Sequence, residues 1–266
     1  MIILIHSSKT MRPEPESLVT MTEPVLVEQA KELNKYLQTL PVSEIAKCMN
    51  VSKPLAEKTK MTIQAWNTDP QLQRPAIDCF AGDIYSGLQS GKWTDKDRHY
   101  SQSSLRILSG LYGILRPLDG IRPYRLEMGY KLPKAPYNNL YTFWDKAVAN
   151  TIPEDETIIN LAAVEYSKVI TKYIDASRFI TPQFFTISPK TGEPTFVTVH
   201  SKIARGAFAN WLIKNRVGNP ERLGQFKDLG YTYDKRLSTP ERPVYVCQNF
   251  GGIGLSMRPK KGDYAS

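Results

Sequence analysis

Residues able to do chemistry crowd the stretch LSGLYGILRPLDGIRPYRLEMG, residues 108–129. Arg116, Arg122 and Arg125 lie there with Asp119 and Glu127 among them, behind two glycines, Gly110 and Gly113, that flank Leu111-Tyr112. Glycine tolerates positive φ and close backbone approach, so this pair predicts a tight connection. A segment that is at once apolar, turn-forming and arginine-rich is more than core packing requires. It is a candidate site for a phosphate-bearing partner, with Tyr112 and Tyr124 as further candidate side chains.

The elements that must position it follow. The polar run DKDRHYSQSS begins after Thr94 and leads into Leu105, Ile107 and Leu108, which predicts a helix ending at the glycines. Helix, glycine-flanked turn and arginine-rich segment together resemble a helix-hairpin-helix unit. In that module glycines expose backbone N–H groups to a phosphate without reading base edges. The usual hairpin is Gly-x-Gly, and Gly110-Leu111-Tyr112-Gly113 is one residue longer.

Further motifs stand in a fixed order: FAGDIYSGL at 80–88, LYTFW at 140–144, INLAAVEYSK at 159–168 and KIARG at 202–206. With the central stretch, they resemble the signatures of the YaaA family, bacterial peroxide-stress proteins. That resemblance implies DNA binding that limits damage by hydrogen peroxide and helps keep free intracellular iron low. The family's Ser-Pro-Ala-Lys-Thr pattern corresponds to His6-Ser7-Ser8-Lys9-Thr10; Lys9 and Thr10 match and the first three depart. The family's usual serine is replaced by Ala163.

Two functions follow as expectations. In the first, Gly110, Gly113, Arg116, Arg122, Arg125, Lys202 and Arg205 contact the DNA backbone, with steep salt dependence from counterion release. In the second, Lys9, Asp83, Glu127 and Glu165, joined by Tyr85, Arg116, Arg125, Asn160, Lys202 and Arg205, converge into a mixed-charge cleft. Tyr166 is a further candidate. Carboxylates beside lysine and arginine are raw material for acid–base work or phosphate clamping on a nucleotide or similar small molecule. A DNA scaffold alone does not call for Asp83, Glu127 and Glu165 beside its cations. Asp83 equally suits a helix cap after the Phe80 strand, since aspartate there satisfies a free backbone N–H.

Composition narrows the classes. With 266 residues, 41% hydrophobic and 23% charged, the chain fits one large globular domain. No run of about 18 apolar residues suggests a membrane span. MIILIHSSKT lacks a positive leader and reads as a buried first strand. Cys48, Cys79 and Cys247 form no CxxC, which points to a reducing, cytoplasmic setting. Cys79, near the Gly82-Asp83 turn, is a conceivable redox thiol, although free cysteine is usually a small buried hydrophobe. His6, His99 and His200 stand in no ligating spacing, and no P-loop, G-x-S-x-G or strand-borne G-x-G-x-x-G occurs; no metal or cofactor is expected. The net charge is +9, of which residues 200–266 hold +7, twelve Lys/Arg against five Asp/Glu. Such asymmetry favours a polyanion partner.

The fold class expected is α+β: one domain over residues 1–258, with a mixed parallel and antiparallel sheet, many helices, and a basic mobile tail at 259–266. Strands are predicted at 2–6, 75–80, 157–162, and from 231 and 243, with an exposed loop at 11–21. Helices are predicted from Thr22-Glu23-Pro24, over 42–49, from Ser52 to about Trp66, over 140–150, and around Glu165–Lys168. A period-two hairpin is expected on either side of PKTGE. Over 200–216, Ile203, Ala204, Ala207, Phe208, Trp211 and Leu212 share one helix side. Lys202, Arg205 and Arg216 fall within roughly 60° of each other on the opposite side.

Overall fold

Four consecutive apolar residues, Ile2-Ile3-Leu4-Ile5, have no polar alternation and therefore need cover on both faces, the signature of a parallel strand at the centre of a sheet. The computed structural model, which describes residues 1–12, 20–133 and 136–252, places them there, fully buried. The chain runs β1 (Ile2–His6), β2 (Thr10–Met11), α1 (Val27–Gln38), α2 (Val42–Met49), α3 (Lys53–Ala65), β3 (Arg74–Pro75), α4 (Ala76–Cys79), β4 (Phe80–Ala81), α5 (Asp83–Leu88) and α6 (Asp95–Ser104). It continues through β5 (Leu105–Ser109), β6 (Gly113–Leu115), β7 (Gly120–Ile121), α7 (Leu140–Trp144), β8 (Ile158–Asn160), α8 (Val164–Thr171) and β9 (Phe179–Ile180). Then come β10 (Gln183–Ile187), β11 (Pro194–Thr195), α9 (Thr198–Lys214), β12 (Tyr231–Tyr233) and β13 (Val244–Cys247).

The central sheet has the order β6-β5-β1-β8-β9. Strand β1 is parallel to β5 (Ile5 opposite Ile107) and to β8 (Leu4 opposite Asn160), so the carboxyl ends of the three share one edge. A second sheet, β11-β10-β13-β12, pairs β10 and β13 in parallel and is otherwise antiparallel. Its inner face is aromatic: Phe184 and Tyr245 stack at 5.3 Å and meet Phe208 of α9 and Phe226. Helix α9 crosses α5 backbone to backbone. A Cβ on Gly206 would sit 1.8 Å from the Ile84 carbonyl oxygen, and one on Gly87 would sit 2.0 Å from that of Ile203. Only glycine permits this approach.

The mixed α and β architecture, the strand at 2–6, helices α2, α3 and α8, and strands β12 and β13 follow the expectation. Other expectations need correction. No helix-hairpin-helix is present: Leu105–Ser109 is a strand hydrogen-bonded to β1, and Ser109 pairs with Gly113 in a β-hairpin. A short apolar run looks the same at the end of a helix and in a buried parallel strand, and here the sheet claims it. The capping box of Thr94 and Asp97 does start a helix, but α6 ends at Ser104. Residues 116–129 carry no helix, only β7. Thr22 caps nothing; its hydroxyl donates to Asp119 at 2.6 Å, and α1 begins at Val27. The strand expected at 75–80 is broken by the turn of α4. The helix expected over 140–150 divides into α7 and a 3-10 turn at Ala149–Thr151. Of the expected hairpin, β10 and β11 pair, whereas Phe179–Ile180 joins the central sheet and α9 already begins at Thr198. Arg216 lies past the end of α9, at φ 49°, ion-paired to Asp97 at 2.8 Å, and so leaves the stripe of Lys202 and Arg205. Most of the loop expected at 11–21, and the tail expected at 259–266, lie outside the described residues.

Candidate functional site

The carboxyl edge of β1, β5 and β8 is where the chain leaves three buried strands for polar sequence, the place where open parallel sheets receive ligands. His6 ends β1. Its carbonyl accepts the Tyr85 hydroxyl at 2.9 Å, its Nδ1 accepts the Ala163 N–H at 3.2 Å, and its ring stacks on Tyr166 at 4.7 Å. The expected departure from Ser-Pro-Ala at residues 6–8 is therefore the hub of the site. Ser7, next along, is buried and its hydroxyl interacts with both Tyr124 and Tyr166. Tyr124 also shares a 2.7 Å hydrogen bond with Ser109 at the end of β5.

Charge surrounds these phenols. Lys9 Nζ and Glu127 Oε2 form an ion pair at 2.7 Å, with the lysine 52% and the glutamate 17% exposed. Glu165, on the first turn of α8, accepts the Gly129 N–H at 2.9 Å. Asp83 is the first residue of α5, and the cap position is Gly82, which lies against Ser8. Asn160 uses its Oδ1 to accept the Ala162 N–H at 3.2 Å and thereby shapes the turn out of β8. From α9, Lys202 and Arg205 lie close enough to His6 to disfavour its protonated ring.

Protonation states follow from burial. His6 is pulled down to about 3, first by burial and then by Arg205 and Lys202, so its ring is neutral at physiological pH. Burial pushes Tyr124 up to about 12, and Tyr85 and Tyr166 are raised for the same leading reason. All three phenols therefore carry their protons and can donate them in hydrogen bonds. Burial also lowers Arg205, whose guanidinium forms no ion pair among the described residues. The carboxylates of Glu127 and Glu165 lie close enough to Tyr166 to add to the rise of its phenol.

Other expected site residues belong elsewhere. Gly110, Leu111, Tyr112 and Gly113 are all buried. The Gly110 carbonyl accepts the Trp144 Nε1–H at 3.0 Å, and a Cβ there would strike the Leu126 carbonyl oxygen at 2.4 Å. These glycines serve close packing. The Tyr112 hydroxyl accepts from Trp66 Nε1 at 2.9 Å and from the Arg122 N–H at 3.1 Å, a role internal to the fold. Arg116 is held by Asp119 and by the Glu23 carbonyl, and Arg122 reaches the Leu72 carbonyl. Arg125, by contrast, stays near Glu127, since both act on Tyr130, and it keeps a buried Nε without a hydrogen-bond partner among the described residues. Two open depressions, about 710 Å³ beside His99 and Arg216 and about 780 Å³ beside Glu193 and Asp234, include none of the strand-edge residues. Chemistry, not concavity, marks this site. Sequence reasoning did not place His6, Ser7 and Ser109 in it; the polar run leaving a buried strand was the signal for the first two.

Comparison with known proteins agrees with the motifs. The family profile described as peroxide stress protein YaaA matches residues 1–237. A UPF0246 protein of Salinispora tropica is 55% identical over 258 residues, covering 97% of this chain and 98% of that protein. Relatives of the same name from Marinomonas sp. (strain MWYL1) and Aliivibrio fischeri (strain ATCC 700601 / ES114) are 38% and 35% identical. Each alignment covers 92% of this chain, and 96% and 97% of the respective relatives.

Proposed function

This chain belongs to the YaaA family of peroxide stress proteins, and from that premise we propose that it acts at the carboxyl edge of its central sheet as an enzyme on a small phosphate-bearing molecule, such as a nucleotide. One observation carries the reading. Lys9–Glu127, Glu165, Tyr124, Tyr166, Lys202 and Arg205 come from separate segments of the chain and gather around the end of β1. Carboxylates within a basic cluster repel a continuous phosphate backbone, yet they suit proton transfer beside a single bound anion. Glu127 and Glu165 are the bases in this reading, Lys9 holds Glu127, and the protonated phenols donate hydrogen bonds.

Sequence-independent DNA binding is the second reading, favoured by the net charge of +9 and its concentration beyond residue 200. In both readings the protein works in the cytoplasm, limiting oxidative damage and free iron. One experiment separates them: a nucleotide panel titrated by calorimetry, beside DNA affinity across a salt series, for wild type, Glu127→Gln/Glu165→Gln and Lys202→Gln/Arg205→Gln. Saturable nucleotide binding lost in the cation variant, with turnover lost in the glutamate variant, is expected. Tight DNA binding with a steep salt slope and no nucleotide binding overturns the enzyme reading.

A further inference from the structure

At that edge three half-buried groups, His6, Lys202 and Arg205, carry N–H donors with no protein acceptor among the described residues. The His6 ring is fixed as a tautomer by its surroundings. Its Nδ1 accepts the Ala163 N–H, so the proton of the neutral ring is on Nε2. The stack on Tyr166 fixes the plane of the ring, and the bond from Tyr85 to the His6 carbonyl fixes the backbone beneath it. The residue is consequently an N–H donor and not a base. Beside it, Lys202 and Arg205 lie one turn apart on α9, held against α5 by the Gly87–Gly206 crossing. Neither cation has a carboxylate within 4 Å among the described residues, and neither donates a hydrogen bond to another described residue. The nearest ion pair of the site, Lys9 with Glu127, is already neutral as a unit.

We infer that His6 Nε2–H, Lys202 and Arg205 form an oxyanion subsite, which takes the phosphate or carboxylate group of the ligand. An oxyanion supplies the acceptors that this trio lacks. Tyr85 ties His6 to α5, and α5 crosses α9 at Ile84 and Gly206, next to Arg205. Three donors brought to one place, two of them charged, match a tetrahedral phosphate better than a planar carboxylate. This deepens the small-ligand reading and rests on it. The subsite orients the anion, while Glu127 and Glu165 stand beside the remainder of the molecule. It also assigns a purpose to His6, at which this chain departs from the family's serine.

The test uses the full chain and inorganic phosphate, with acetate as the planar comparison. Long-range ¹H–¹⁵N spectra of histidine-labelled protein report the tautomer directly. A neutral Nε2–H ring at His6, moved by saturating phosphate, is the expected result. Arg205→Gln weakens phosphate about tenfold or more, as loss of a charge-assisted hydrogen bond should. Lys202→Gln does so too. His6→Gln, which retains an N–H donor, weakens it less than His6→Leu; thermal melts confirm that each variant folds. Acetate binding more tightly than phosphate assigns the subsite to carboxylates. An Nδ1–H tautomer overturns the inference, as does phosphate affinity unchanged in Arg205→Gln and Lys202→Gln. Should phosphate bind as expected while no nucleotide is bound or turned over, the subsite stands and the enzyme reading falls. Should nucleotides be turned over without disturbing His6, the reverse holds.

Discussion

The corner built on Asp119 and the edge built on His6 both bring cations into partly dry protein, and they treat charge in opposite ways. Asp119 is 0% exposed, and its two oxygens take the Thr22 hydroxyl at 2.6 Å, the Arg116 N–H at 2.8 Å and the Arg116 Nε at 3.0 Å. Gln102 extends the network to Thr22 and to the Leu118 N–H. Burial pushes the Asp119 carboxyl up, against the pull of Thr22 and Arg116. At the strand edge, Arg205 is half-buried and gains no carboxylate among the described residues. A satisfied network fixes architecture. Donors left open in the fold point instead to something that arrives from outside.

The largest expected effect breaks the satisfied side. Asp119→Ala leaves Arg116 uncompensated and should cost about 3–5 kcal/mol in urea unfolding, the usual penalty for removing one partner of a buried pair. Phosphate affinity at the other region should not change. Gly206→Ala attacks the open side through its scaffold, because the new Cβ cannot coexist with the Ile84 carbonyl. It should cost about 1–3 kcal/mol, as overpacking does, and should abolish the phosphate response by shifting α9.

The third prediction concerns pH. Folded His6 takes up its proton near 3, whereas the unfolded chain does so near 6.5. Between those values the unfolded state binds more protons, so stability is full above about 6.5 and falls as pH is lowered towards 3. The slope is at most about 1.4 kcal/mol per pH unit from this one group. Urea midpoints measured from pH 7 to 4 should show the loss in wild type and a shallower one in His6→Gln. The smallest effect is the most telling for the contrast. Arg205→Gln should leave stability within about 1 kcal/mol of wild type or raise it slightly, because an unpaired, partly buried charge is removed. A loss as large as that of Asp119→Ala would mean that the two regions do not differ in kind.

Much of the architecture was legible in the residues. The IILI run, the capping box at Thr94 and the apolar stripe of α9 announce their elements by period and by cap. The central hairpin was not, because LRILS carries no periodicity that separates a helix end from a buried strand. Nor could the sequence say which use a glycine serves: Gly110 and Gly113 read as a loop offering its backbone, and they lie packed against Leu126 and Trp144. Of the candidate site, Lys9, Tyr85, Tyr124, Glu127, Glu165, Tyr166, Lys202 and Arg205 come together, whereas Arg116 and Tyr112 are consumed by the fold, and Arg122 gives one N–H to the Leu72 carbonyl. Arginine type alone could not separate the two groups, since the distinction rests on partners distant in the chain. His6 was visible only as a departure from a pattern, and its meaning required Ala163 and Tyr166 to be placed beside it.

The central position of β1 also bears on how each molecule comes into being. Once made, Ile3 waits for Leu105 on one side and Ile159 on the other. At about 5–20 residues per second, that wait lasts roughly ten seconds to half a minute during synthesis. Until Leu105 is made, an apolar, β-prone segment has no native neighbour, which is the situation in which nascent chains are captured by chaperones or by one another. Lys202 and Arg205 follow later still. The binding edge is thus completed only once α9 has been made, and a chain arrested before α9 carries the hub without its cations.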